Sequence, residues 1–113
     1  MLTIEKLKEF GADTDAGLAR CMGSEALYLR LVAMAKDEKN FDKLKEALEG
    51  CDLDRAFEAA HALKGVMRNL SPTKLFELSS DITEHLRARE SIDYSAFLTE
   101  LLDLREELRK ICE

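Results

Sequence analysis

The sequence predicts an all-α protein, namely an antiparallel, up-down-up-down four-helix bundle with two short capping helices near its N-terminus. Leu, Ala, Glu and Lys dominate the composition, Val and Ile are scarce, and the 113 residues include one proline. This composition favours helices over strands. Four long amphipathic segments joined by short connections are typical of such a bundle. The length fits a single domain over residues 1–113, and an apolar fraction of 46% is enough for a core.

The N-terminal region predicts two short helices. The first runs from Thr3 to Phe10, with Thr3 as its cap, and Gly11 ends it. The second begins at Asp13 or Asp15 and ends near Gly23. We expect this pair to cover one end of the bundle.

The next segment predicts one long helix from Glu25 to Glu49, capped by Ser24 and ended by Gly50. Met34 and Phe41 are a full heptad apart, so the helical periodicity of apolar residues continues across the polar stretch 36–40. We therefore expect a single helix here, with the charged run on its solvated face. The apolar residues recurring at threes, fours and sevens are Leu27, Leu31, Met34, Phe41, Leu44 and Leu48.

The central segment, residues 53–70, has the strongest apolar periodicity, and Asp52 or a neighbour is its expected cap. At ~100° per residue, His61 and Arg68 fall at the edge of the apolar stripe, and Lys64 lies beside them, nearer its centre. His61 is therefore expected at the margin between core and solvent. The stripe itself consists of Leu53, Ala56, Phe57, Ala60, Leu63, Met67 and Leu70.

Two further helices complete the predicted bundle. One runs from about Pro72 to Ala88, with Ser71 as its cap and the proline in its first turn. A linker at 90–93 follows, in which Asp93 is a plausible cap, and the last helix runs from Tyr94 to about Ile111. The expected inward residues are Leu75, Leu78, Ile82 and Leu86 in the first, and Phe97, Leu101, Leu104, Leu108 and Ile111 in the second.

Charge and cysteine content exclude several classes of protein. The net charge of −6 and pI near 5.0 argue against nucleic-acid binding. No apolar run approaches the ~20 residues of a membrane span. The first residues also lack the basic stretch followed by an apolar stretch that a signal peptide has.

Cys21, Cys51 and Cys112 are widely spaced without a CxxC motif, which predicts reduced thiols in a cytoplasmic protein. The initial Met and compact ends favour a whole protein.

The candidate functional site is a cluster around His61. Lys64 and Arg68 follow it by three and seven residues, and on a helix these spacings put the three side chains on one side. Gly65 removes a side chain one turn from the histidine. A glycine inside a helix costs roughly 1 kcal/mol relative to alanine, so it needs a reason, and close approach of another molecule is one. Neutral imidazole is a nucleophile towards phosphorus, and nearby cations would stabilise the added charge of roughly −1.5 to −2.

The segment Ala60-His61-Ala62-Leu63-Lys64-Gly65 resembles the A-H-x-L-K-G signature of the histidine-containing phosphotransfer (HPt) domain. The resemblance implies that His61 accepts and donates a phosphoryl group, that Lys64 steadies the phosphate, and that Gly65 gives a docking partner access. Arg68 departs from the family pattern, which usually has a small residue there; it would add a second cation for the phosphate or restrict which receivers dock. Ser71 replaces a commonly seen glycine. Further segments that fit the family are Gly17-Leu18-Ala19-Arg20, Leu27-Tyr28-Leu29, Ala47-Leu48, Asp52, Asn69-Leu70 and Leu75.

The resemblance also implies partners. HPt domains shuttle phosphate between the aspartates of receiver domains in two-component phosphorelays, so the expected partners are a response-regulator receiver domain and a hybrid histidine kinase. Such a domain is a phosphocarrier without catalytic activity of its own. It needs no cofactor, because the receiver supplies Mg²⁺ and the acidic cluster. We expect a cytoplasmic monomer.

The sequence leaves two other functions open. A helical adaptor would bind receiver or kinase domains through the same patch without being phosphorylated. The dimerisation-phosphotransfer part of a histidine kinase would need a dimerising two-helix hairpin and an ATP-binding domain, and the sequence shows neither. A metal site is disfavoured because no His, Cys or carboxylate lies four residues after His61. His85 is interpreted as structural or exposed. Ser79 and Thr83 are interpreted as surface filler, or as partners of the imidazole or phosphate if that face turns inward.

Overall fold

A computed structural model describes residues 1–70, 73–90 and 92–113 of the chain, and it contains no strand among them. The all-α prediction is confirmed. None of the helices in these ranges is long and apolar enough to cross a bilayer. The helices are α1 (Ile4–Phe10), α2 (Thr14–Arg20), α3 (Glu25–Ala35), α4 (Asn40–Glu49), α5 (Leu53–Leu70), α6 (Thr73–Arg87) and α7 (Ser95–Ile111).

The N-terminal helices begin where the sequence predicts. The side chains of Thr3, Asp13 and Ser24 each accept a backbone N–H from the first turn of α1, α2 and α3, respectively. Gly11 ends α1 with a φ of 103°, a left-handed conformation that glycine adopts without strain. Helix α1 packs against α7 and α2, and α2 packs against α3 and α5.

The prediction of one helix from Glu25 to Glu49 is wrong, because a turn at 36–39 separates α3 from α4. The Lys36 carbonyl at this turn accepts a hydrogen bond of 2.9 Å from Nε of Arg105 in α7. The Glu38 carboxylate accepts from the backbone and side-chain N–H groups of Asn40. The heptad was misleading because its two ends differ in burial. Phe41 is fully buried, whereas Met34 is 62% exposed.

The core is centred on α5, which packs most extensively against α4 and α6 and also touches α2 and α3. Most of the predicted stripe is buried, while Leu53 and Phe57 at its edge are half-buried. The four predicted inward residues of α6 are buried as well. In α7, Leu101 and Leu108 are buried and the other predicted positions are half-buried. Burial of Arg105 was not predicted.

Helices α5 and α6 run antiparallel, because their contacts pair rising residue numbers in one with falling numbers in the other. These contacts are two ion pairs and two placements of a guanidinium over a ring. In order along α5 they are Asp54 with Arg89, which lies in the turn just after α6, Phe57 with Arg87, Lys64 with Glu84, and Arg68 with Phe76.

The start of α7 agrees with the prediction for Asp93, whose carboxylate accepts the Ser95 N–H at 2.9 Å. Hydrogen bonds from Ser95 lower the pKa of Asp93 below its ordinary value. The predicted cap Ser71 and the first-turn residue Pro72 lie outside the described residues. All three cysteines are free thiols.

Candidate functional site

His61 lies on the exposed face of α5, near the middle of the helix. The buried residues Ala60 and Leu63 fix which face of the helix points inward, and this leaves His61 in solvent. The histidine is thus more exposed than the predicted core margin. Its ring stacks on that of Phe57, one turn earlier, with the ring centroids 5.7 Å apart and the planes inclined by 19°. This contact limits the directions in which the imidazole can turn.

Gly65 lies one turn after His61 and is also exposed. A Cβ atom built at this position would meet no atom within 4 Å. Packing inside the chain therefore does not require glycine here. The open surface beside the imidazole is compatible with the close approach of a second molecule.

Lys64 points towards α6, where its Nζ lies 3.7 Å from Oε1 of Glu84. The lysine side chain is 18% exposed and the glutamate 56%. The second oxygen of Glu84 lies 3.3 Å from Nε of Arg87. The Arg87 guanidinium lies over the Phe57 ring, 5.2 Å from its centroid. Lys64, Glu84 and Arg87 thus form a charged cluster beside the stacked pair of Phe57 and His61, which we call the α5–α6 charge cluster.

Arg68 is exposed, and its guanidinium carbon lies 5.9 Å from the centroid of the Phe76 ring. Its carbonyl accepts a hydrogen bond of 2.6 Å from Nη1 of Arg20. The arginine is two turns from His61, and the described contacts hold it against α6 at a different level from Lys64. The predicted role of Arg68 towards a phosphate stays a prediction.

Ser79 and Thr83 turn inward, and their hydroxyl groups bond to carbonyls of their own helix. Both side chains are buried. The Ser79 hydroxyl donates to the Leu75 carbonyl at 2.7 Å, and the Thr83 hydroxyl donates to the Ser79 carbonyl at 2.6 Å. Their protons are therefore used within α6, and the interpretation of these residues as surface filler is wrong.

His85 connects α6 to the start of α7. Its Nδ1 lies 2.6 Å from Oε2 of Glu90, and its ring centroid is 5.3 Å from that of Phe97. These contacts agree with the structural interpretation of this histidine.

Sequence reasoning missed two members of the α5–α6 charge cluster, Glu84 and Arg87. Both lie more than twenty positions from His61, so no helical spacing links them to it. Only the antiparallel register of α5 and α6 brings them to Lys64 and Phe57. Within the part of the chain that the structure describes, no group of three or more His, Cys, Asp or Glu residues is placed to hold a metal ion.

Comparison with protein families adds a finding that does not depend on this geometry. The family described as Hpt domain matches residues 29–111. The match runs from α3 through α7 and includes His61 and the whole α5–α6 charge cluster, while α1 and α2 precede it. Comparison with curated proteins gives no match, and neither does comparison with solved structures.

Proposed function

Because the chain belongs to the Hpt domain family, we propose that it carries a phosphoryl group on His61 between the aspartates of receiver domains. Membership of the family implies a phosphotransfer role in phosphorelay signalling. The observation that carries the assignment to His61 is its placement in the motif on an exposed helix face, with open space at Gly65.

The proposed reaction needs little from this chain. The lone pair of one ring nitrogen of His61 attacks the phosphorus of an aspartyl phosphate. An N–P bond forms, the P–O bond to the aspartate breaks, and the carboxylate leaves with the electron pair. Onward transfer is the reverse reaction with a second receiver. The receiver supplies Mg²⁺ and its own acidic cluster, so the chain acts as a phosphocarrier and not as an enzyme.

Lys64 and Arg68 are the proposed phosphate-stabilising residues, and Gly65 is the proposed access point for the docking receiver. A phosphoryl group on His61 would add about −1.5 to −2 charge, which charge-assisted hydrogen bonds from these cations would stabilise. The proposed partners are a response-regulator receiver domain and a hybrid histidine kinase. In this proposal the chain is a cytoplasmic monomer that binds each of them in turn.

The arrangement of the bundle is part of the proposal. Helices α3 and α4 together take the place of the first predicted long helix, and α5, α6 and α7 follow in alternating directions. Helices α1 and α2 cover one end. The antiparallel contacts between α5 and α6 support this topology.

The test is phosphotransfer from a phosphorylated receiver or hybrid kinase, with the product examined for acid-labile, base-stable phosphate. We expect wild type and His85→Gln to take up label and His61→Gln to take up none. His85→Gln is the matched control, because it removes the only other histidine of the chain. Label on His61→Gln equal to that on wild type would contradict the proposal. Receiver binding that persists in His61→Ala, without any phosphoprotein, would favour the adaptor instead.

A further inference from the structure

Lys64 already has an anionic partner before any phosphate arrives. Its ammonium lies 3.7 Å from Glu84, and its side chain is mostly covered, with 18% exposed. A cation in so covered a position benefits from a counter-ion. Glu84 is itself shared, because its other oxygen lies 3.3 Å from Arg87. One carboxylate therefore bridges the lysine of the motif and an arginine of the next helix.

A phosphoryl group on His61 would bring a second anion to the same lysine. Lys64 follows His61 by three residues and lies on the same side of α5. Its ammonium then has two competing partners, the phosphoryl oxygens and the Glu84 carboxylate. Glu84 keeps Arg87 as a partner if Lys64 turns to the phosphate, so a switch leaves no unpaired carboxylate.

Building on the proposed function, we propose that Glu84 is a positioning residue that shortens the lifetime of phosphohistidine by competing with the phosphoryl group for Lys64. In hydrolysis, water adds to phosphorus and the N–P bond breaks. Its electron pair goes to the ring nitrogen, which takes a proton, and inorganic phosphate leaves. A cation near the ring disfavours this protonation and draws charge from the phosphoryl oxygens. When Glu84 holds Lys64, the lysine opposes protonation of the ring less strongly and draws less charge from the phosphoryl oxygens.

We expect Glu84→Gln to lengthen the lifetime of phosphohistidine. Exposed ion pairs are weak, so the expected increase is about 1.5- to 5-fold. The effect is electrostatic between partly exposed groups, and it should shrink as the salt concentration rises. A purely structural role of Glu84 would not give this salt dependence.

The experiment uses phosphoramidate as donor, which needs no partner protein. Its P–N bond breaks, the phosphoryl group goes to the imidazole, and ammonia leaves. After removal of the donor, the decay of phosphohistidine on His61 is followed by phosphorus NMR, with His85→Gln as the common background. The matched control is Glu107→Gln, which makes the same charge change at an exposed glutamate of α7. We expect this control to decay like its parent. Thermal unfolding of each variant verifies that it is folded.

A double-variant cycle tests whether the effect passes through Lys64. In a Lys64→Met background, Glu84→Gln should leave the decay unchanged. The inference is overturned if Glu84→Gln alone leaves the lifetime unchanged or shortens it, or if it lengthens the lifetime equally without Lys64. Either result leaves the proposed function intact. That function fails separately, if receivers transfer no phosphoryl group to His61 of the wild type.

Discussion

The Lys64 side chain is mostly covered, with 18% exposed, so both its charge and its packing matter, and the two can be tested separately. Lys64→Met keeps the aliphatic stem and removes the charge. We expect helicity to be retained and phosphohistidine on His61 to decay about 2- to 5-fold faster, because one stabilising cation is lost. Arg68→Met should have a smaller effect, because its guanidinium is held over Phe76, two turns from His61. Decay unchanged in both variants would remove both residues from the phosphate site.

Gly65 is expected to serve a docking partner and not the fold. In Gly65→Leu, thermal stability should stay similar or rise slightly. Leucine is a better helix former than glycine, and a Cβ here meets no atom within 4 Å. Transfer from a receiver should nevertheless be blocked, since the new side chain stands one turn from His61. Normal transfer would show that Gly65 is not an access point.

Gly17 is the matched control for Gly65, because packing inside the chain does require a glycine at this position. It is buried in α2, and a Cβ built there would overlap the ring of Tyr28. That ring is fully buried, so it has little room to move. Gly17→Ala should therefore lower the free energy of unfolding by about 1–3 kcal/mol. A stability equal to that of wild type would mean that α2 can shift away from α3.

The turn between α3 and α4 is held by a side chain from α7. Arg105 donates from Nε to the Lys36 carbonyl and from Nη1 to Asp42, at 2.9 and 3.1 Å. Its guanidinium also lies 4.9 Å from the centroid of the Phe41 ring. The Arg105 side chain is 7% exposed and that of Asp42 is 68%, so the ion pair alone contributes little. We therefore expect the hydrogen bond to the turn and the packing on Phe41 to contribute more to stability than the ion pair does.

Arg105→Met keeps much of the packing and removes the donors. We expect the free energy of unfolding to fall by about 1–3 kcal/mol, measured by denaturant titration, because the Lys36 carbonyl loses its partner. The control is Arg109→Met, one turn on in α7. Arg109 pairs with Asp37 and Glu106 near the surface, so its loss should cost less than about 1 kcal/mol. Equal losses in the two variants would contradict a special role for Arg105.

Local signals in the sequence predicted more of the fold than interactions between distant parts of the chain did. Helix starts were predictable because Thr3, Asp13 and Ser24 act on N–H groups within their own first turns. The break at 36–39 was not, because apolar periodicity continued across it and Arg105 acts from a distant part of the chain. The candidate site likewise contains residues that local spacing predicted and residues that it did not. The motif residues follow one another along α5, whereas Glu84 and Arg87 reach the site only through helix packing.

Tyr28 links α3 to the end of α5, and we expect it to make the protein less stable as the pH rises into the alkaline range. Its hydroxyl donates to the Leu70 carbonyl at 2.8 Å. Burial, and then the nearby charges of Cys21 and Asp13, raise the pKa of Tyr28 to about 12. An unfolded tyrosine ionises near pH 10. Between about pH 10 and 12 the folded chain therefore keeps a proton that the unfolded chain has lost.

The contribution of Tyr28 to stability is thus fully present below pH 10 and is lost as the pH rises towards 12. We expect the thermal midpoint of the wild type to fall more steeply across this window than that of Tyr28→Phe, which has no proton to lose. Some fall should remain in the variant, because burial and the charge of Glu90 also raise the pKa of Tyr94. Tyr94→Phe is the control for that part. If the midpoints of wild type and Tyr28→Phe fall in parallel, the buried hydroxyl does not link folding to alkaline pH, and its role is limited to packing and the bond to Leu70.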